Sequence, residues 1–500
     1  MPNLTTRAGA PAHNEQKNST PAPHHFPLMV PGAKSHPEHA EIQAPFDGSV
    51  IGTVERTDLA GVEIALENAY RLFRDRDAWL PASERIAILD RAADMMAERR
   101  EELAVESARE GGKPLVDSLV EADRAVDSIK ACVEHLRTQG GREIPMGLNA
   151  GSTGRLAFTR HEPLGVVVAF SAFNHPMNLV AHQIGPAIAT GCPVIIKPAE
   201  ATPLSCMRLV AIFREAGLPE LWCQALQTTD FEVAGALMSD SRVGFFSFIG
   251  SDRVGWMLRS KLAAGTRCAL EHGGAAPVIV AKDADLDYAL PLLTKGGFYH
   301  AGQVCVSVQR VFVDTQIARE LADRLADQSK SLKVGDPTLK GTDVGPLIRE
   351  AEVERVDAWV REAVEGGAEV LSGGKPVSDT CYVPTVLFNP PKNVKVSTSE
   401  IFGPVICVYP YDDLDTAIAQ ANELPVAFQA AVFTRDLDTA LRASRRLDAS
   451  AVMVNDHTAF RVDWMPFAGI KRSGLGTGGI PYTMHDMQIE KMIVMRSAEL

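Results

Sequence analysis

The sequence predicts an α/β protein built from more than one domain, and three observations carry that prediction. Short, continuously apolar runs such as Gly165 to Phe170 alternate with helical segments of roughly 10–15 residues, the pattern of βαβ units around a parallel sheet covered on both faces. The alternation begins at Gly165 and resumes after Gly297, which implies a second α/β unit with a boundary near Ala275-Ala276-Pro277. With 500 residues, 46% hydrophobic and 23% charged, the chain can bury a large core; at about 100–200 residues per domain, two to four domains are expected.

The elements follow in order. Residues 1–30 are polar, rich in Pro, His, Asn and Thr, and lack the apolar segment of a signal peptide, so a disordered tail is expected there. Ile42 to Glu55 reads as a hairpin around Asp47-Gly48-Ser49. Asp58 to Gln139 is helical, with Ala, Leu, Glu and Arg dominant and few breakers. Strands are expected at Gly165 to Phe170, Pro193 to Ile196, Val243 to Ile249 and Pro277 to Val280. The helices between them are Met177 to Thr190, Pro203 to Glu215 and Asp252 to Ala264. Beyond Gly297, Cys305 to Val313 leads into a helix from Thr315 to Leu332, and the alternation continues to Asp436. Ser152 to Arg160 and Gln488 to Arg496 alternate apolar and polar residues outside both patterns, as strands that pair with another subunit would.

Charge and cysteine usage exclude several function classes. Lys plus Arg is 50 and Asp plus Glu is 63, so the formal balance is −13, and no basic run offsets it; nucleic acid and anionic membrane are not expected partners. No apolar stretch approaches the roughly 20 residues of a membrane helix. Eight cysteines without a C-x-x-C pair fit reduced thiols in a cytoplasmic enzyme. Histidines 175, 272, 300 and 457 form no metal-ligand spacing, so no metal is expected.

Chemistry concentrates in a few segments. Gly297-Phe298-Tyr299-His300-Ala301-Gly302-Gln303-Val304-Cys305-Val306-Ser307 places one thiol in a glycine-flexed, polar stretch, whereas Cys407 sits in the unbroken apolar run from Pro404 to Tyr409. Leu270-Glu271-His272-Gly273-Gly274 supplies a carboxylate followed by two glycines. A thiol nucleophile and a carboxylate base are what a thioester reaction ended by water requires. Asn174 follows a strand's carboxyl end, where an amide can donate to an oxyanion or simply cap a turn. Lys197 and Glu200 follow the next strand, suited to ribose hydroxyls or to a solvated ion pair. Gly250-Ser251 opens a helix, as a pyrophosphate site or an ordinary cap would. Gly474 to Gly479 satisfies G-x-G-x-x-G, but it follows Lys471-Arg472-Ser473 rather than a predicted strand, and it is expected to be a loop.

Seven ordered segments make the chain resemble the aldehyde dehydrogenase superfamily from about Ile42 onward, with the look of its lactaldehyde-type branch. They are Phe173 to Pro176, Lys197 to Glu200, Ile249 to Ser251, Leu270 to Gly274, Gly302 to Cys305, Glu400 to Pro404 and Pro466 to Gly474. The resemblance implies a Rossmann-like cofactor domain (31–151 and 163–275), a catalytic α/β domain (276–480) and a small β oligomerisation flap (152–162 and 481–500) in a homodimer or homotetramer. It implies Cys305 as nucleophile, Glu271 as base, and Asn174 with the Cys305 amide as oxyanion hole, with Lys197 among the catalytic set. Phe170, Lys197, Glu200, Gly250, Ser251, Val254, Gly273, Glu400 and Phe402 would hold the cofactor. Glu200 would repel a 2′-phosphate, so NAD is expected over NADP.

The implied substrate is a small polar aldehyde, met by Arg124, His175, Val304 and Arg461. Two converging guanidinium groups would select an anionic aldehyde. The alternative is that Arg124 pairs with Glu121 and Arg461 with Asp463. Val304 stands where some relatives acting on phosphate- or phosphonate-bearing aldehydes carry a third arginine, which favours a small hydroxylated or singly charged substrate. The sequence departs from the family at His272, Phe173, Trp222 to Leu226 and Gln429. The rival classes are a coenzyme A-acylating dehydrogenase and a non-enzymatic protein on the same fold.

Overall fold

Each long apolar run lies in one of two sheets. The computed structural model describes residues 23–500. The first sheet is ordered Gly474–Leu475, Arg267–Glu271, Val243–Ile249, Val166–Phe170, Val194–Lys197, Cys223–Ala225. Its strands are parallel except Gly474–Leu475, which runs antiparallel along Arg267–Glu271. All five residues of Val166–Phe170 are buried, because helices cover both faces, and the helix Asn178–Thr190 is buried on every side. The second sheet is ordered Glu369–Ser372, Thr385–Phe388, Val405–Tyr411, Val308–Asp314, Ala276–Val280, Gln429–Phe433, Ala451–Val454, parallel apart from its first pair.

The helical stretch is four helices: Leu59–Arg74, Ala82–Glu98, Arg100–Gly111 and Leu115–Thr138. Asp58 caps the first by accepting from the amides of Ala60 and Gly61. Gly112, at φ +75°, ends the third, and Pro114 starts the fourth. The hairpin is His39–Gln43 against Val50–Thr57.

Register places the site. Phe170 lies opposite Lys197 and Phe248, and Ile249 opposite Glu271, so four strands end at one level. Consecutive strands fall on opposite sides of Val166–Phe170, and the crevice beyond its carboxyl end is where an open parallel sheet receives ligands.

Several expectations are corrected. The tail does not extend to residue 30: His24–Phe26 is a strand parallel to Val50–Thr57, and Met29 and Val30 are buried. Residues 1–22 lie outside the described residues. Arg155–Pro163 and Gln488–Arg496 are strands that pair with each other, antiparallel from Pro163 opposite Gln488 to Arg155 opposite Arg496, with Gln488–Arg496 at the edge of its sheet. Gly474–Leu475, expected as a loop within 276–480, is instead the edge strand of the first sheet. Ile480–Asp486, expected among the flap strands, is a helix whose Ile480 and Met484 complete the first core. The chain thus returns to its first unit after building the second.

Candidate active site

Local strain sets the thiol's position. His300, Ala301 and Gly302 adopt φ values of +48°, +54° and +71° in succession, an unfavourable run for the first two. A side chain on Gly302 would overlap the Gly403 carbonyl, so this position needs glycine twice over. The Gln303 side chain accepts from Ile348 N at 3.0 Å and donates to Pro346 O at 3.3 Å, tying the loop down. Asn174 is buried and donates from Nδ2 to Gln303 O at 2.9 Å, which fixes its amide against the backbone just before Cys305.

Cys305 is half-buried among Val304, Val306, Phe428, Phe467, Tyr299 and Ala459. Burial pushes its thiol up to about 12; Arg461 pulls it down, while Glu271 and Glu400 push it further up. Burial also raises Glu271, and Arg461 opposes the shift. A thiol and a carboxylate that both resist ionisation thus feel the charge of one guanidinium. Gly478 passes so close that a methyl there would overlap the Glu271 carboxylate. The glycines of the discarded motif thus fold against the base.

The cofactor-side residues form a separate cluster. Lys197 Nζ lies 5.7 Å over the Phe170 ring and 4.0 Å from Glu200, with no hydrogen bond among the described residues; burial lowers its pKa and Glu200 opposes this. Ser251 stands at the N-cap of Asp252–Arg259, with Val254 in its first turn, and its side chain makes no capping bond. Arg253 N donates to Asp252 Oδ1 at 2.6 Å, while the amides of Asp252 and Val254 make no hydrogen bond among the described residues, which leaves two donors for a pyrophosphate. Glu400 packs against Gly273, where a methyl would overlap its carboxylate, and accepts from Gly274 N at 3.1 Å. Burial raises its carboxyl to about 8. Phe402, at φ +48°, meets Phe173 edge-on at 5.9 Å. An uncommitted ammonium, an open helix N-terminus and a glycine cradle together fit a dinucleotide.

At the far end, Arg461 stacks on Phe467, its guanidinium carbon 3.6 Å from the ring centroid. Its Nε is buried with no partner. Neither pairing weighed from the sequence forms: Arg124 meets Asp463, through 2.7 and 3.1 Å hydrogen bonds, and Arg461 makes no ion pair among the described residues. His175 bonds Tyr299 Oη at 2.7 Å, and burial holds its imidazole well below the ordinary range. Val304 is a buried apolar wall.

The family model for the aldehyde dehydrogenase family matches residues 33–493. The chain belongs to that family. Among proteins of assigned function, this aldehyde dehydrogenase is 41% identical to the 3-sulfolactaldehyde dehydrogenase of Priestia aryabhattai over 82% of this chain and 86% of that one. It is 35% identical to the lactaldehyde dehydrogenase of Methanocaldococcus jannaschii, over 94% and 100%. Its structure matches aldehyde dehydrogenase 21 of Physcomitrella patens, solved with the reaction product succinate. The TM-score is 0.91 and the identity 32%, over 95% of this chain and 99% of that one. The aldehyde dehydrogenase resemblance and fold read from the seven segments are thereby established, as is an oxidoreductase acting on aldehydes.

Sequence reasoning gave no role to His182, Tyr299 or Gly478, and it assigned Asp463 to Arg461 rather than to Arg124. Tyr299 stood in the segment around Cys305 and Gly478 in a glycine motif whose context was wrong, while His182 carried no signal. The departure at His272 falls on the cofactor side, not the substrate wall: its ring packs on Trp256 and Phe248, and Nδ1 bonds Gly250 O at 3.0 Å. Gly255 leaves room for that ring.

Proposed function

We propose that this aldehyde dehydrogenase oxidises a small aldehyde bearing a hydroxyl group or a single negative charge, with NAD as oxidant and water as final acyl acceptor. The observation that carries the reading is Arg461, a buried guanidinium that makes no ion pair among the described residues and whose charge acts on both Cys305 and Glu271. Glu271 takes the proton of Cys305, and the thiolate adds to the aldehyde carbon. The oxygen becomes anionic and is met by Asn174 and by the Cys305 amide, which makes no hydrogen bond among the described residues. Bound NAD supplies the hydride acceptor, and the carbon is left as a thioester on Cys305. Glu271 gives up that first proton to solvent, then removes one from water as the water adds and passes it to the departing sulfur, so the carboxylic acid leaves with the thiol restored.

Glu271 beside the thiol supports water rather than coenzyme A as acceptor, because a thiol acceptor needs no base set for water. Glu200 beside Lys197 supports NAD, although solved neighbours include an NAD-dependent enzyme and one bound to NADP. Exposed Met492, Val494 and Met495 on Gln488–Arg496 support assembly into a homo-oligomer through that strand. The test is NADH release over lactaldehyde, succinic semialdehyde, 3-sulfolactaldehyde and glyceraldehyde 3-phosphate. The highest kcat/KM is expected among the first three. A phosphorylated aldehyde as best substrate overturns the charge assignment, and higher kcat/KM with NADP overturns the cofactor assignment.

A further inference from the structure

One carboxylate behind the pocket gathers more partners than any group in it. Asp463 is buried and accepts from Arg124 twice, from Asn178 Nδ2 at 3.1 Å and from His182 Nε2 at 2.7 Å. Burial pushes its carboxyl up, but His182 and Arg124 outweigh that and hold it well below the usual carboxylate range. Since His182 Nε2 donates to Asp463, its Nδ1 is left as an acceptor, and Arg461 Nη2 lies 3.4 Å away. A carboxylate, an imidazole and a guanidinium therefore run in a string from the helix contacts to the pocket, with His182 neutral because burial lowers it.

The charges count simply. Arg124 is matched by Asp463, Lys113 by Glu121 at 2.5 Å, and Lys295 by Asp117, while His175 and His300 are held neutral by burial. Of these cations Arg461 alone makes no ion pair among the described residues, and the base Glu271 is the carboxylate that feels its charge most directly. We infer that Asp463 sets the charge selectivity of the pocket: it neutralises Arg124 and, through His182, backs Arg461, so that one positive charge meets the substrate. This rests on the anion reading of Arg461 given above. Asp463 is a positioning and specificity residue, since it acts through its neighbours.

The test is a double-mutant cycle in the full chain: Asp463→Asn, Arg124→Met and both together. The readout is the ratio of kcat/KM for glyceraldehyde 3-phosphate to that for lactaldehyde, with thermal melting and NADH binding reporting the fold. Asp463→Asn uncovers Arg124 and is expected to raise the ratio about tenfold; Arg124→Met leaves a surplus carboxylate and should lower it roughly fivefold. The double variant restores the balance and should return within about threefold of the parent. Equal shifts on both aldehydes, or a double variant that keeps the ratio of either single variant, overturn the inference. Arg461→Met separates the two levels. If it weakens charged and neutral aldehydes equally, the anion reading itself fails; if it is selective while Asp463→Asn is not, only the role of Asp463 fails. Should Asp463→Asn not fold, Arg124→Met alone decides: a fall in the ratio supports the inference and an unchanged ratio overturns it.

Discussion

Two thiols in this dehydrogenase are both pushed up by burial and have opposite prospects. Cys305 and Cys407 are each pushed up to about 12, and each has an arginine pulling the other way, Arg461 and Arg310 respectively. The arginines differ in what they have left to give. Arg310 spends its guanidinium on the carbonyls of Ala275, Gln420 and Ala421, whereas Arg461 keeps a buried N–H unused. Cys407 lies wholly buried in the strand Val405–Tyr411, with no carboxylate acting on it; Cys305 is half-open, and Glu271 is felt at the thiol. A displaced pKa does not mark a nucleophile. A neighbouring proton acceptor and room for a substrate do.

The largest effect that would break this comparison is loss of the thiol itself. Cys305→Ala should lower kcat by more than about 10⁴-fold while NADH still binds, since the thioester cannot form. Near-normal turnover in steady-state assays would move the nucleophile elsewhere.

Next comes the base. Glu271→Gln should lower steady-state kcat about 10²–10⁴-fold by removing the group that activates water. Rapid mixing should then show whether the two steps share one base. Loss of the first-turnover NADH burst would assign Glu271 to thiol activation as well, and a retained burst of about one NADH per site would confine it to hydrolysis.

How much of this was legible beforehand depends on whether the information was local. Cys305, Glu271 and Asn174 could be proposed from the sequence because each follows or sits within a short segment whose glycines and strand ends can be read in place. The alternating runs likewise gave the two sheets. The capture of Arg124 was invisible because Asp463 lies 339 residues away, and local spacing suggested Glu121 instead. Gly474 to Gly479 failed for a related reason: its strand is a two-residue edge that exists only because Arg267–Glu271 is there to pair with. The pairing of Arg155–Pro163 with Gln488–Arg496 also joins distant segments, and alternation fixes a strand's faces without naming its partner.

A smaller effect sharpens the role of Arg461. Glu271 works as a base when ionised, so kcat should rise with pH through its raised pKa. Arg461 lowers both Glu271 and Cys305. Arg461→Met removes that pull, raises both pKa values and should move the acid limb of kcat toward higher pH by roughly one unit. An unmoved limb in the pH–rate profile would mean that the guanidinium's charge is not felt at the base.

The smallest effect belongs to the other thiol, and it tests the comparison from its quiet side. Cys407→Ala deletes a sulfur from a fully packed strand and should cost about 1–2 kcal/mol of stability by leaving a small void. Thermal melting should show that loss while kcat and KM stay within about twofold of the parent. Iodoacetamide adds a second view, because only a thiolate reacts and only an accessible one is reached. Inactivation should accelerate as pH rises, with the label found on Cys305 by peptide mapping and not on Cys407. Labelling of Cys407 at a comparable rate in the folded protein would show that the strand Val405–Tyr411 opens. Exposure, and not the company of Glu271 and Arg461, would then be what separates the two thiols.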